Sequence, residues 1–411
     1  MGVGGRCLSR DDRFDVCVVG AGLVGLGVAR ALTRTFHGLS IAVLEKEEAV
    51  ASHQSSHNSG VVHSGLYYRP GSLKARLCVE GRDAVYEICE TEGIPYRRSG
   101  KLVIATDASE IPALDELERR GTANGLVGMR RIGPEEIAEF EPAATGLAAL
   151  QVPEAGVADF PELAGHHARS LESDGARIVT GAAVTAIDHE GSGVGVTAGD
   201  QRFSARVLVN CAGLHSDRVA ALAGVDAGVR IIPFRGEYYR LTEDSAGLVR
   251  ALIYPVPDPR FPFLGVHFTR RIDGAVEVGP NAVLALGREH YRGAKPDWKE
   301  VRSVLGHPGF RRLATRHWRS GSSEMLNSRS TALYARLARH LVPALRREHL
   351  LPGGAGVRAQ AVDARGNLVD DFVIETAGNT VHVLNAPSPG ATASIAIGRH
   401  IAAEVAPILR T

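Results

Sequence analysis

The sequence predicts a mixed chain of α/β plus α+β character: a discontinuous Rossmann-like nucleotide domain with an inserted antiparallel-sheet domain. Three observations carry this expectation. A buried-strand run opens directly into a glycine-rich turn and a helix, a central stretch alternates short β-rich runs with turns, and the C-terminal stretch returns to strand, loop and helix. With no internal repeat and no low-complexity linker, interleaved architectures read most simply as one domain inserted into another.

The elements follow in order. Phe14 to Val19 is continuously apolar and of strand length, the pattern of a parallel strand covered on both faces. It runs into Gly20-Ala21-Gly22-Leu23-Val24-Gly25, and apolar residues then recur at helical spacing from Leu23 to Leu32. Ser40 to Leu44 is a second buried strand ending at Glu45, which completes a βαβ unit. Gln151 to Ala183 reads as a loop, a helix over Glu162 to Ser173 and a strand over Arg177 to Thr180; Arg206 to Cys211 is another buried strand. From Arg230 to Val283 the β-rich runs suggest an antiparallel sheet, and Asp297 to Leu345 is helix-rich and carries many arginines. Val381 to Leu384 is a strand, Asn385 to Gly390 a Pro/Gly loop, and Ala391 to Val405 a helix. The expected boundaries are 1–85, 150–225 and 350–411 for the nucleotide domain, and 86–149 and 226–349 for the substrate domain.

Composition narrows the function. The 411 residues carry 47 Lys+Arg against 46 Asp+Glu, so 47 − 46 = +1, and bulk charge offers nothing to clamp nucleic acid or an acidic membrane. No nucleic-acid partner is expected. Five cysteines (Cys7, Cys17, Cys78, Cys89 and Cys211) fall at no metal-ligand spacing and several sit in apolar runs, so they read as buried thiols of a reducing, cytoplasmic compartment, and no metal is expected. The N-terminus has no apolar core of secretory length and no run of about 18 apolar residues occurs. A soluble chain is expected, with peripheral membrane contact left open. The 47 glycines exceed the usual share of roughly 7%, and their placement matters.

A lone GxGxxG is weak, because any turn can supply it. Here it follows a strand, opens a helix and is followed by Glu45 twenty residues beyond Gly25, which is the full dinucleotide context. Gly20 makes the tight turn, Gly22 lets pyrophosphate approach backbone N–H groups, and Gly25 lets the helix pack on the sheet. The helix N-terminus favours the phosphate charge and Glu45 can accept from ribose hydroxyls. The bland alternative is a glycine-rich turn that binds nothing. NAD and FAD both fit this fingerprint. Two further close-approach loops favour FAD: the small-residue segment from His57 to Tyr68, suited to a flat heterocycle, and the Pro/Gly loop Asn385 to Thr392 at a helix start.

The strings HNSGVVHSGLYY, PGSLKARLC, NCAGLHSDR, IIPFRGEYYRL, YPVPDPRFPFLGVHFT, VGPNAVLALGREHY, GVRAQAVDARGNLVDDF and VLNAPSPGATASIAIG span nearly the whole chain in order. They resemble the L-2-hydroxyglutarate dehydrogenase/oxidase family, FAD-dependent members of the D-amino-acid-oxidase-like superfamily. Ser56 and Gly390 depart from the family's pattern. The resemblance implies oxidation of L-2-hydroxyglutarate to 2-oxoglutarate, with oxygen, a quinone or another acceptor taking the electrons.

Oxidising a hydroxy acid requires a base for the C2 hydroxyl and a hydride acceptor at the flavin. His63, in the flavin-side segment, is the first candidate base, and His267 is its rival. A dicarboxylate needs cations: Arg358 and Arg235 are the first choices, each with an internal ion pair as the alternative, and Lys74, Tyr67 and Asn385 are further substrate contacts. The expected cofactor contacts are Gly20, Gly22, Leu23, Val24, Gly25, Glu45 and Lys46; His57, Asn58, Ser59, Gly60 and Val61; Val184, Ala212, Gly213 and Gly356; and Ser388, Pro389, Gly390, Ala391 and Thr392. Arg329, Arg336, Arg339, Arg346 and Arg347 read as a solvated face, and Asp217 and Arg218 as the cap and first turn of a helix. Competing readings are an amino-acid or amine oxidase, or a specialised-pathway hydroxy-acid oxidase, on the same fold. More remote are a flavin-containing RNA-modifying protein and a non-catalytic FAD-binding scaffold.

Overall fold

A computed structural model describes residues 12–258, 265–279, 283–291, 295–316 and 330–410. Cys7 and Arg329 lie outside them.

The first sheet is built around parallel strands. β1 (Arg13–Val19) lies between β2 (Ile41–Leu44) and β12 (Gln201–Asn210), β9 (Arg177–Val179) flanks β2, and β20 (Thr380–Asn385) flanks the C-terminal half of β12, all parallel. The N-terminal half of β12 pairs instead with β11 (Gly193–Ala198), which forms a hairpin with β10 (Val184–Glu190); β19 (Val373–Ala377) closes the far edge on β20. Every residue of β2 is buried, as a strand covered on both faces requires. One face is covered by α1 (Leu23–Thr35), α2 (Leu73–Glu92), α5 (Phe160–Ser173) and α9 (Gly390–Arg410), whose apolar faces share one core with Val16, Val18, Ile41 and Val43.

Glycines set the spacing of this helical layer. A Cβ on Gly27 of α1 would stand 2.7 Å from the Ser394 carbonyl oxygen, and one on Gly398 of α9 would stand 2.3 Å from the Gly27 carbonyl oxygen. Real side chains do not approach so closely, so α1 and α9 meet backbone to backbone.

The second sheet is mostly antiparallel. Its order runs β17 (Val283–Leu284), β13 (Val229–Leu241), β16 (Val276–Gly279), β15 (His267–Arg270), β14 (Leu252–Pro255), β5 (Lys101–Ala105), β7 (Ala148–Val152) and β6 (Arg130–Ile132), with the long β18 (Leu350–Asp363) also on β13. Among the described residues, only β14 and β5 of this sheet run parallel. α3 (Ile111–Ala123) and α4 (Pro134–Phe140) cover its β5–β7 end. α6 (Ser216–Leu222), α7 (Trp298–Gly306) and α8 (Thr331–Ala338) complete the described helices labelled here. A small sheet of β3 (Val61–Val62), β8 (Gly156–Ala158) and β4 (Tyr96–Arg97) links the two bodies.

Several sequence expectations move. The boundary at 85/86 falls inside α2, a 20-residue helix held at its start by Ser72, which accepts from the Ala75 N–H, and ended by Gly93 at φ 68°. The boundary at 350 falls before β18, which by pairing with β13 through residue 363 belongs to the second sheet, and β7 at residues 148–152 does too. The expected helix from Ala391 to Val405 is 21 residues long and reaches Arg410. α5 starts at Phe160 rather than Glu162, capped by Asp159, which accepts from the Glu162 N–H. Arg336, Arg339, Arg346 and Arg347 are exposed, as expected of a solvated face. Asp217 is not a cap: it lies in the first turn of α6, buried, and is bound by the Arg288 guanidinium at 2.5 and 3.0 Å. Cys17, Cys78, Cys89 and Cys211 are free and buried. No helix among the described residues is long and apolar enough to cross a membrane.

Candidate active site

A cavity of about 770 Å³ runs from the β1–α1 turn to the loop that opens α9. Its first wall is the glycine turn. Gly20 has φ +100°, and a Cβ on Gly25 would stand 1.9 Å from the Gly20 carbonyl oxygen, so only glycine lets α1 begin this close to the strand. Gly25 is therefore packing rather than cavity wall, whereas Gly20, Gly22, Leu23 and Val24 line it. The first turn of α1 carries no acidic residue, leaving the positive helix end for an anion. Glu45, at the end of β2, accepts from the Ala21 N–H at 2.8 Å and the Glu47 N–H at 3.0 Å. Its carboxylate thus shapes the turn while standing on the cavity wall.

Lys46 is also on the wall, but its ammonium is engaged: it lies 2.8 Å from Glu289, 2.7 Å from His53 Nε2, and against Glu47. The hydrogen bond with His215, and then Lys46, hold the Glu289 carboxyl down at about 2 against burial, which acts to raise it. This ionic knot closes one end of the cavity beside Val184, Ala212 and Gly213.

The segment from His57 to His63 forms the second wall. Asn58 folds it, donating to the Gln54 and Ser55 carbonyls at 3.0 and 2.8 Å and accepting from the Gly60 N–H at 2.8 Å. His57 packs on the Tyr291 ring at 4.2 Å, and Ser59 and Val61 line the cavity while Gly60 does not. Gly356 of β18 admits this segment, since a Cβ there would stand 2.7 Å from the His57 carbonyl oxygen.

The third wall is the start of α9, with Ser388, Pro389, Gly390, Ala391 and Thr392. Thr392 ties it to the second: its hydroxyl donates to the Val61 carbonyl at 3.2 Å and accepts from the His63 N–H at 3.1 Å. That clamp brings His63 Nε2 to 3.3 Å from Ser388 Oγ. A glycine cradle, a helix end free of acid in its first turn, a carboxylate beside the turn and a long cavity fit an extended dinucleotide.

The comparisons agree. The sequence profile of the FAD dependent oxidoreductase family matches residues 15–404. The L-2-hydroxyglutarate dehydrogenase of Indibacter alkaliphilus is 45% identical over 386 residues, covering 94% of this chain and 97% of that protein. The chain belongs to the L-2-hydroxyglutarate dehydrogenase family of FAD-dependent oxidoreductases. A mitochondrial L-2-hydroxyglutarate dehydrogenase of Homo sapiens is 42% identical over 420 residues, covering 98% of this chain and 90% of that one. In fold, this FAD-dependent oxidoreductase is similar to the reduced, FAD-bound L-α-glycerophosphate oxidase of Mycoplasma pneumoniae, with TM-score 0.77 and 24% identity over 97% of this chain and 95% of that one. FAD is its cofactor.

Around the third wall the oxidoreductase gathers cations and neutral imidazoles. Burial is the main force that drives His63 well below the usual imidazole value, and Lys101, His267, Lys74 and Arg358 add to it. Arg358 of β18 lines the cavity beside Tyr238, whose phenol hydrogen-bonds it. His267 of β15 is buried behind the wall, its ring stacked on Tyr254 at 4.2 Å, and burial brings it down to about 3. Its Nδ1 lies 2.8 Å from the Gly265 carbonyl; a carbonyl only accepts, so Nδ1 carries the proton.

Other substrate candidates fare differently. Arg235 is off the cavity wall and paired with Glu237 at 3.3 Å, two residues along the same strand, so the internal ion pair takes the place of the expected substrate contact. Lys74 lines the cavity, with its ammonium on the Asp370 carbonyl at 2.9 Å and carboxylate at 3.0 Å. Asn385 spends its amide hydrogens on the Val369 and Asp371 carbonyls at 3.0 and 2.8 Å, joining β20 to the segment after β18. Tyr67 is half-buried, with its hydroxyl enclosed, and is off the wall. Sequence reasoning missed Tyr238, Tyr254 and Lys101. Tyr238, in FRGEYYRL, was within reach of period-two counting along β13 from Arg358's partner strand; Lys101 and Tyr254 carried no local signal.

Proposed function

We propose that this protein oxidises L-2-hydroxyglutarate to 2-oxoglutarate. The observation that carries the reading is the His63 imidazole, half-buried on the cavity wall with Arg358 and beside the loop that opens α9, where desolvation and nearby cations favour its neutral form. The names of the curated relatives support the substrate.

FAD supplies the hydride acceptor for the hydrogen on C2. The chain does the rest. Arg358 offers a planar fork of donors to the C1 carboxylate, the geometry that guanidinium provides and ammonium does not. His63 takes the proton of the C2 hydroxyl. Its Nε2 lies 3.3 Å from Ser388 Oγ, which also hydrogen-bonds Tyr68; in the tautomer that donates Nε2–H to Ser388 the lone pair is on Nδ1, an atom with no hydrogen-bond partner among the described residues. The C2–H and O–H bonds break, the C2=O bond forms, and the alcohol becomes a ketone. His267 is the alternative base, with its free lone pair on Nε2. Oxygen or a quinone completes turnover as electron acceptor. Four free, buried cysteines suit a reducing, cytoplasmic compartment.

Anaerobic mixing of the yellow protein with L-2-hydroxyglutarate should bleach it, while lactate, malate and glutamate should not; a protein that stays yellow with hydroxyglutarate sinks the substrate assignment. His63→Ala should slow bleaching on the order of 10²- to 10⁴-fold. A normal rate in that variant removes His63 as the base and passes the role to His267. Hydrogen peroxide assayed after air is readmitted separates oxygen from quinone.

A further inference from the structure

Behind His63 lies a second group of polar atoms, on residues that are not part of the large cavity's wall. Lys101 opens β5, is only 2% exposed, and its ammonium has no hydrogen-bond partner among the described residues. The nitrogen stands 4.1 Å from the Tyr254 ring centre and 5.0 Å from that of Tyr67. The Tyr67 hydroxyl and His63 Nδ1 are likewise buried without a partner among the described residues. Tyr254 in turn stacks on His267. Both imidazoles feel Lys101 and Arg358, so the two histidines share their surroundings with two different cations.

An ammonium with aromatic faces for company and no acceptor is costly to bury. Cation–π contact offsets part of that cost and leaves the hydrogen-bonding capacity of the nitrogen unused. An acceptor-only guest would use it, and a carboxylate is such a group. A 2-hydroxy diacid has two carboxylates separated by its carbon chain, with the reacting hydroxyl next to one of them. We propose that Lys101, with the Tyr67 hydroxyl, receives the C5 carboxylate of the substrate while Arg358 receives C1, and that Lys101 thereby sets the preference for a 2-hydroxy diacid over a 2-hydroxy monoacid. The assignment rests on the hydroxyglutarate reading above. It agrees with the surroundings of Lys101, where burial brings the ammonium down to about 7 with Cys78 acting against it; a carboxylate beside it favours the charged form. The rings of Tyr67 and Tyr254 then flank the carboxylate site as apolar walls.

The test compares Lys101→Met with the wild type, both full-length and FAD-loaded, on L-2-hydroxyglutarate and on L-2-hydroxyvalerate, which carries a methyl group where the diacid has its C5 carboxylate. Methionine has a similar volume and no charge, and equal flavin content in the two proteins controls for folding. KM for hydroxyglutarate should rise roughly 10- to 100-fold, the span of one charge-assisted hydrogen bond, with kcat nearly unchanged and kcat/KM for hydroxyvalerate unchanged or raised. Equal losses on both acids would place Lys101 at the reacting end or on His63 and overturn the assignment; no loss on either overturns it as well. Calorimetric titration with glutarate, which cannot react, reads binding alone: affinity should fall with Lys101→Met, and unchanged affinity overturns the proposal. A wild type that neither binds glutarate nor bleaches with hydroxyglutarate brings down the substrate reading itself. A wild type that bleaches normally, with its diacid preference intact in the variant, removes only the lysine.

Discussion

His63 shows what burial does to a titratable side chain. Desolvation, and then the charges of Lys101, His267, Lys74 and Arg358, favour its neutral form, so its folded value lies below the ordinary 6.5 or so. The proton-accepting form therefore persists as pH falls. kcat/KM for hydroxyglutarate should not drop between pH 7.5 and about 5.5, where a free imidazole would lose about tenfold; a limb centred near 6.5 would remove His63 as the proton acceptor. At this scale the sequence was informative where function concentrated small residues around a polar one, as at His63, Ser388 and Gly356. It failed where chemistry depends on a distant partner. Lys101 heads the strand KLVIA and looks like the solvated end of an ordinary β-run, and only the packing of Tyr67 and Tyr254 from two other segments makes it a buried cation. For Arg235 the sequence left a substrate contact and an internal ion pair equally open, and the structure pairs it with Glu237, two residues along β13.

The α1–α9 contact decides the geometry of the cavity at the scale of elements. Gly27 and Gly398 let the two helix backbones touch, and α9 carries at its other end the Ser388–Thr392 wall. Gly27→Val must push α9 away from α1. It should cost about 1–3 kcal/mol in denaturant unfolding, as overpacking does, and should also weaken FAD retention on gel filtration; a variant that unfolds and holds flavin like the wild type would show that α9 does not depend on this contact. The βαβ opening and the final strand, loop and helix were readable because buried parallel strands and amphipathic helices leave long periodic traces. The stretch from 86 to 149 was not, because β5, β6 and β7 are short and one of their three pairings, β5 on β14, is with a strand far away in sequence.

Two histidines buried for structural reasons bear on the stability of the whole molecule. Burial brings His167 of α5 down to about 3, with neither ring nitrogen hydrogen-bonded among the described residues, and His382 of β20 down to about 4. Both folded values are depressed, so well above pH 6.5 both rings are neutral in the folded and the unfolded chain and their titration does not change stability. As pH falls from there toward the folded values the unfolded chain takes up protons that the fold cannot, and stability is lost. Thermal midpoints should decline below about pH 6.5, and His167→Phe should flatten part of that decline; an equal slope in the variant would acquit His167. Taken whole, the two-body architecture was legible from the alternation of periods along the chain, whereas its seams were not. β18 looks like the beginning of the last nucleotide-domain segment until its register with β13 is known.

The union of α1 with α9 has a meaning for how the protein is made. Leu26, Val28 and Leu32 belong to a core that α9 helps to close, yet residues 390–410 are synthesised long after α1. Until they emerge the first helix waits without its neighbour, and the loop that opens α9 does not yet wall the cavity. FAD capture in its final form therefore has to wait for α9, and until then the N-terminal segment is a natural client for whatever shields apolar surface in the cell.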